Sequence, residues 1–184
     1  LTFCWRKVYH LRFMSELIFD NGQFARQQRV LAGELALSEL SRVAHEVLSG
    51  GVIEYALVGS TDRLQRLCLD LRLTAQFQLK CQRCLAPMPF ELDVATRFAL
   101  FSDEARLEAA EAEDEDLEGL MFEREFALLN LIEDEILLAL PFAPTHESCE
   151  SDVGVAAAAD ILPQKPNPFA VLADFKAKLK RGDN

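Results

Sequence analysis

Four residues have types and spacing that could do chemistry together. Cys81 and Cys84 form a C-x-x-C pair, and His146 and Cys149 form an H-x-x-C pair. Zinc takes four tetrahedral nitrogen or sulfur ligands, and structural sites commonly draw them from two short loops. Two intervening residues let one tight turn place both donors on the same ion. The pairs lie roughly sixty residues apart, well outside the compact zinc-finger spacing. Three readings stay open at this point. The set is a zinc site, with its ion or having lost it; it is a group of uncoordinated structural thiols; or Cys81 and Cys84 are a redox-active pair. A redox pair needs a helix N-terminus or a cation to lower one thiol's pKa. Arg83 is such a cation, but the pair lies between two strands and no thioredoxin-like βαβ pattern precedes it.

Other chemistry is thin. There are three His, and one of them, His10, lies in a short N-terminal stretch that reads as a leader. No nucleophile elbow, P-loop, dinucleotide fingerprint or H-E-x-x-H occurs. Ser148 is two residues from His146, too close in sequence to form a triad with it. Glu133, Asp134 and Glu135 resemble a carboxylate cluster, but successive helical positions point about 100° apart and do not converge. They read as a solvated helix face, as His45 reads as a solvated surface histidine. The chain reads as a non-enzyme.

The elements that must position the Cys and His pairs are legible in the periodicity. Leu67, Leu69, Leu71, Leu73, Ala75, Phe77 and Leu79 alternate with mostly polar residues, which is a long strand with one dry face. Cys68 falls on the wetter face and reads as a bystander. Phe90, Leu92, Val94 and Phe98 alternate likewise. The two runs make a hairpin with Cys81 and Cys84 at its tip. Val30–Leu37 reads as a strand broken by Gly33. Ser38 is expected to cap a helix carrying Leu40, Val43, Ala44 and Val47, stopped by left-handed Gly50 and Gly51. Val52–Val58 reads as a buried strand, with a turn at Gly59–Asp62. Phe126, Leu129, Ile132, Ile136, Leu137 and Leu140 recur at helical spacing and predict a helix over 125–140. Pro141 and Pro144 end it, and His146 and Cys149 follow.

The predicted architecture is α+β: an antiparallel sheet with a long hairpin, packed helices, and a C-terminal helix after a flexible linker. Residues 1–13 read as a non-native or disordered leader, since the chain begins with Leu and Met14 is its first Met. Residues 14–149 read as the domain, with an acidic loop or loose helix at 103–118. Residues 150–163 read as the linker and 164–184 as an amphipathic helix or tail. There Asn167 and Pro168 suit a cap and first turn, Phe169, Leu172, Phe175 and Leu179 form a stripe, and Lys176, Lys178, Lys180 and Arg181 load the end.

The net charge is −11 over 184 residues. A uniformly acidic surface repels nucleic acid, whose binding depends on Lys and Arg neutralising phosphates. No apolar run reaches the roughly 20 residues of a membrane span, so no membrane partner is expected. No secretory signal is evident, and five Cys is an odd number; a reducing cytoplasm, where thiols stay free or bind metal, is the expected compartment.

Three pieces of the chain together carry a family resemblance. They are Cys81-Gln-Arg-Cys84; the run from Asn130 to Pro141 with Pro144, His146 and Cys149; and Gln164-Lys-Pro-Asn-Pro-Phe-Ala-Val-Leu172. In this order they resemble the large ribosomal RNA subunit accumulation proteins, the YceD family. The resemblance implies a non-enzymatic ribosome-biogenesis role in the synthesis, processing or stability of 23S ribosomal RNA. Some relatives carry further cysteines after the helix, where this chain has His146 and Cys149, which favours the metal reading with zinc as cofactor. The implied partners are ribosome assembly factors or basic ribosomal proteins, steered by charge, with indirect or local contact with 23S rRNA. Lys165, Pro166, Asn167, Pro168, Phe169, Leu172, Lys176 and Lys180 are the candidate partner-binding residues.

Overall fold

Alternating apolar residues drive two long strands, as expected. In the computed structural model, which describes residues 17–149, β5 spans Leu67–Lys80 and β6 spans Pro87–Phe101. They pair antiparallel from Cys68↔Ala99 to Lys80↔Pro87. The leader, the linker, the terminal helix and all eight candidate partner-binding residues lie outside the described residues.

Ahead of the hairpin come β1 (Ile18–Phe19), α1 (Asn21–Arg26), β2 (Val30–Ala36), α2 (Ser41–Glu46), β3 (Ser49–Gly50) and β4 (Val52–Thr61). After it come α3 (Glu104–Glu113), β7 (Glu118–Met121), β8 (Phe126–Ala127) and α4 (Leu128–Ala139). The main sheet runs β2-β4-β5-β6-β7, with β3 also on β5. The class is α+β as expected, but the sheet is mixed, because β7 joins β6 in parallel. β1 and β8 form a separate two-stranded ribbon.

The dry face of the sheet holds the main core. Ile53 and Leu57 of β4, Leu69 to Leu79 of β5 and Leu92 and Phe98 of β6 meet Val43 of α2 and Leu128, Ile132 and Ile136 of α4. Each such side chain, fully buried, is worth about 1.5–3 kcal/mol. α1 packs so closely on β4 that a Cβ on Gly59 would lie 2.6 Å from the Phe24 carbonyl oxygen. Gly59 is therefore a strand residue chosen for close approach and not part of a turn. The turn comes later, at Asp62–Arg66, where the Asp62 carboxylate accepts from the amides of Leu64 and Arg66.

Several local expectations are corrected. β2 runs unbroken through Gly33, over which the Tyr55 ring lies. Ser38 sits in a short 3₁₀ turn, and α2 begins three residues later with no side-chain cap from its own N-cap, Leu40. Ala44 is exposed. Gly50 and Gly51 do not end this helix in a left-handed conformation; no described glycine has positive φ. Ser49 and Gly50 instead pair with Gln78 and Phe77, and the Phe77 ring packs over Gly50. Between Gly50↔Phe77 and Glu54↔Thr74 the β3–β4 side carries one extra residue, a β-bulge that bends the strand. Of the loop and the loose helix expected over the acidic 103–118 stretch, the helix forms, as α3: Asp103 caps it by accepting from the Arg106 amide, and Glu118 already belongs to β7. α3 covers the other face of the sheet, where Leu107 and Ala110 pack on Cys68, Ala99 and Phe101. Cys68 is thus buried, not on a wet face. Residues 125–127 precede the helix, with Phe126 in β8 and its ring against Phe19.

Candidate metal centre

The hairpin tip is shaped by its own backbone. The Cys81 amide donates to the Ala86 carbonyl and the Leu85 amide to the Cys81 carbonyl, both at 3.0 Å. Leu85 takes a left-handed φ of 63° to close the turn. This places Cys81 and Cys84 on one side of the tip, Cys81 buried and Cys84 half-buried. α4 ends at Ala139, where Pro141 removes a backbone donor, and the chain turns to the hairpin tip. There Gln82 donates its amide to Pro144 O at 2.8 Å, and the Arg83 guanidinium donates to the His146 carbonyl.

The result is a single four-donor cluster. The sulfurs of Cys81, Cys84 and Cys149 and a ring nitrogen of His146 all lie within 4.8 Å of one another. Cys81 Sγ is 3.6 Å from Cys149 Sγ. His146 Nδ1 is 3.4 Å from Cys84 Sγ and 3.6 Å from Cys149 Sγ. A tetrahedron with metal–sulfur bonds of about 2.3 Å and metal–nitrogen bonds of about 2.0–2.1 Å has edges of about 3.8 Å (S···S) and about 3.6 Å (S···N). The cluster has the dimensions of such a site. His146 Nε2 lies 3.2 Å from Pro87 O. A proton on Nε2 can donate there, which leaves the Nδ1 lone pair facing the sulfurs. Metal-ligating histidines are commonly oriented by such a second hydrogen bond.

The electrostatics favour a thiolate. Hydrogen bonding from the Cys84 backbone, helped by the amides of His146 and Arg83, outweighs burial and lowers Cys81 to about 5. The Ala86 amide pulls Cys84 down, but burial and the neighbouring sulfurs of Cys81 and Cys149 push it further up. His146 is raised by its contacts with Cys149 and Cys81. One low and one raised thiol around a shared imidazole is the pattern of groups competing for the same protons, which a cation would displace.

All four residues singled out in the sequence thus meet, although His146 lies 62 positions after Cys84. The carboxylates at 133–135 do not converge, as expected, but they are not a plain solvated face. Glu133 is buried and accepts from the Arg42 amide and Nε; Asp134 accepts from Arg42 Nη1; Glu135 accepts from the Thr96 hydroxyl. Sequence reasoning missed Asn21, which is fully buried, donates to Met121 O and accepts from the Glu123 amide. The Asp20-Asn21-Gly22 run marks a helix start, and nothing local reveals its distant partners.

Residues 69–176 match the family model described as "Large ribosomal RNA subunit accumulation protein YceD". The chain is also similar to the Large ribosomal RNA subunit accumulation protein YceD of Haemophilus influenzae, at 30% identity over 172 residues, covering 88% of this chain and 96% of that protein. No solved structure matches.

Proposed function

This chain belongs to the large ribosomal RNA subunit accumulation protein family, and from that membership we propose that it supports the accumulation of 23S ribosomal RNA as a non-enzymatic ribosome-biogenesis factor. The observation that carries this reading is the family match across both halves of the metal cluster, from within β5 to beyond Cys149. The role is exercised in the cytoplasm, where the large subunit is assembled. No helix among the described residues is long and apolar enough to cross a membrane.

In this reading Cys81, Cys84, His146 and Cys149 hold a structural zinc ion. All four positions are taken by protein donors, the closed arrangement of structural rather than catalytic zinc. The low pKa of Cys81 suits a ligand as well as a redox nucleophile; convergence of four donors favours the ligand. The net charge of −11 favours basic ribosomal proteins or assembly factors as partners. The segment from Lys165 to Lys180, with Pro166, Asn167, Pro168, Phe169, Leu172 and Lys176, supplies the partner contact.

The test is sedimentation of ribosomes and quantification of 23S rRNA from cells lacking the chain, with rescue by the intact protein, by Cys81→Ala/Cys84→Ala, and by a chain truncated before Lys165. We expect 23S rRNA to fall and only the intact protein to restore it fully. Unchanged 23S rRNA in the deletion strain overturns the role. Full rescue by the truncated chain overturns the contact assigned to Lys165–Lys180.

A further inference from the structure

The outer face of the main sheet, opposite the core, is covered at one end, where α3 packs on Cys68, Ala99 and Phe101. Farther along, the strand registers set a row of side chains across it. Glu34 of β2 lies opposite Glu54 of β4, Glu54 opposite Thr74 of β5, and Thr74 opposite Asp93 of β6. All three carboxylates are exposed. Arg72 binds Asp93 at 3.0 Å, and Glu54 accepts from the Thr74 hydroxyl. Among the described residues no cation pairs with Glu34 or Glu54. Arg29, just before β2, lies over the Phe24 ring on the core side. Like charges directly opposite each other on paired strands are destabilising, so Glu34 and Glu54 cost the free domain stability.

β2 is also an open edge of the sheet: among the described residues it pairs with β4 alone. The Gly59 amide donates to the Arg29 carbonyl, so the odd-numbered residues of β2 bond to β4 and the even-numbered ones face away from it. Ala36 agrees, since its amide donates to the Glu39 carboxylate instead. The amides and carbonyls of Val30, Ala32 and Glu34 therefore point off the sheet. β2 has no Pro, Lys or bulge, the common guards of an edge strand. Its one guard is the charge of Glu34, which disfavours a second copy of this strand and favours a basic one.

We propose that the β2 edge accepts an extended, Lys- or Arg-bearing segment of a protein partner as an added strand. Main-chain bonds to Val30, Ala32 and Glu34 supply the attachment, and a cation beside Glu34 and Glu54 supplies the selection. Neighbouring strands lie about 4.8 Å apart. A cation opposite Glu34 on the added strand is thus its direct neighbour, and its long stem reaches toward Glu54. The costly like-charge pair becomes a pair of attractive contacts. The inference deepens the reading of basic proteins as partners and rests on it for the partner's identity, while the edge is tested by itself.

The experiment is amide exchange followed by NMR on the full, zinc-supplemented chain, with and without a capped peptide of alternating Lys and Thr as long as β2. The amides of Val30, Ala32 and Glu34 are expected to gain protection. Those of Leu31, Gly33 and Leu35, already bonded to β4, should not change. The same peptide with Glu for Lys should protect none of them. Glu34→Lys, which turns an attraction into a repulsion and relieves the strain with Glu54, is expected to weaken peptide binding roughly 2- to 30-fold without loss of folding. Glu46→Gln, exposed on α2 across the core, is expected to change nothing. Absence of this alternating protection, equal protection by the Glu peptide, or unchanged affinity in Glu34→Lys overturns the proposal. Protection of the same amides that rises with protein concentration alone assigns the edge to a second copy and also overturns it. Complementation separates the two readings. If the wild-type chain restores 23S rRNA and Glu34→Lys restores it equally, the edge fails and the family role stands. If the wild-type chain has no effect on 23S rRNA while the exchange pattern appears, the role fails and the edge stands.

Discussion

Replacing Glu133 with Ala tests how α2 is anchored to the domain. The first amides of a helix have no partner within it, and Leu40 offers α2 no side-chain cap. Glu133, on α4, supplies the missing acceptor: its Oε1 takes the Arg42 amide at 2.8 Å and its Oε2 takes Arg42 Nε at 2.7 Å. A carboxylate 91 residues away thus caps this helix. Loss of a capping acceptor costs about 0.5–2 kcal/mol, and a buried donor left without a partner costs about 1–3 kcal/mol. The guanidinium half of the contact is half-exposed and adds a smaller, salt-screened amount. Glu133→Ala is therefore expected to cost about 2 kcal/mol, a fall in melting temperature of about 4–8 °C for a chain of this size. Thermal unfolding followed by circular dichroism reads it. Glu133→Gln keeps an acceptor for the Arg42 amide and should fall between. Arg42→Ala keeps the amide and should cost less than Glu133→Ala. The reasoning fails if Glu133→Ala stays within about 0.5 kcal/mol of wild type, the range of an ordinary surface substitution, or if Arg42→Ala is the more damaging change.

Three further outcomes follow from the same structure. Burial alone would raise the Asp62 carboxyl, but hydrogen bonds from the Arg66 side chain and amide hold it below its ordinary value of 3.8. A depressed folded pKa gives stability that is present above the unfolded value and lost as pH falls through the folded one. The stability gap between wild type and Asp62→Asn, measured by urea unfolding, should therefore be full at neutral pH and close below about pH 4. Gly59→Ala, whose new Cβ would meet the α1 backbone at 2.6–2.7 Å, is expected to cost about 1–3 kcal/mol, whereas Gly51→Ala, with nothing nearer than 4.0 Å, should be nearly neutral. Elemental analysis should find one zinc per chain, lost in Cys81→Ser. Chelation should raise amide exchange in residues 82–86 and 141–149 while leaving the β4–β6 amides protected.

What was legible in the sequence is what is local. The period-2 alternation of β5 and β6 survives because one face is buried along nearly the whole hairpin, so each apolar residue reports its own direction. C-x-x-C and H-x-x-C are legible for the same reason: each pair needs only one turn. What escaped notice depends on partners far along the chain. Cys68 is polar-faced by alternation, but α3 folds back over that face. Glu133 resembles a solvated carboxylate until Arg42 arrives from α2. Gly50 and Gly51 look like helix stops, yet Gly50 is needed for the Phe77 ring and the bulge. β7 is four residues in a strongly acidic region, too short to show a period, and its parallel place beside β6 follows from the α3 crossover.

The distance between the ligand pairs has a consequence for the order of assembly. In a compact zinc finger the ligands are close in sequence, and the free energy of metal binding is the free energy of folding. Here neither pair can meet the other until β5 and β6 have paired and α4 has crossed the sheet, because those elements alone bring the tip and the segment after α4 to one place. The main core that does this, from Leu17 to Ile136, includes none of the four ligands. Residues 141–149, by contrast, contain no buried side chain and reach the tip through a few hydrogen bonds and the cluster itself. A metal bound here, as the zinc reading proposes, would therefore arrive on a domain already folded. Under the proposed zinc reading its work would be to fix the segment after α4 against the hairpin tip. Stability of the core and occupancy of the site should then be separable, whereas order in residues 141–149 and occupancy should not.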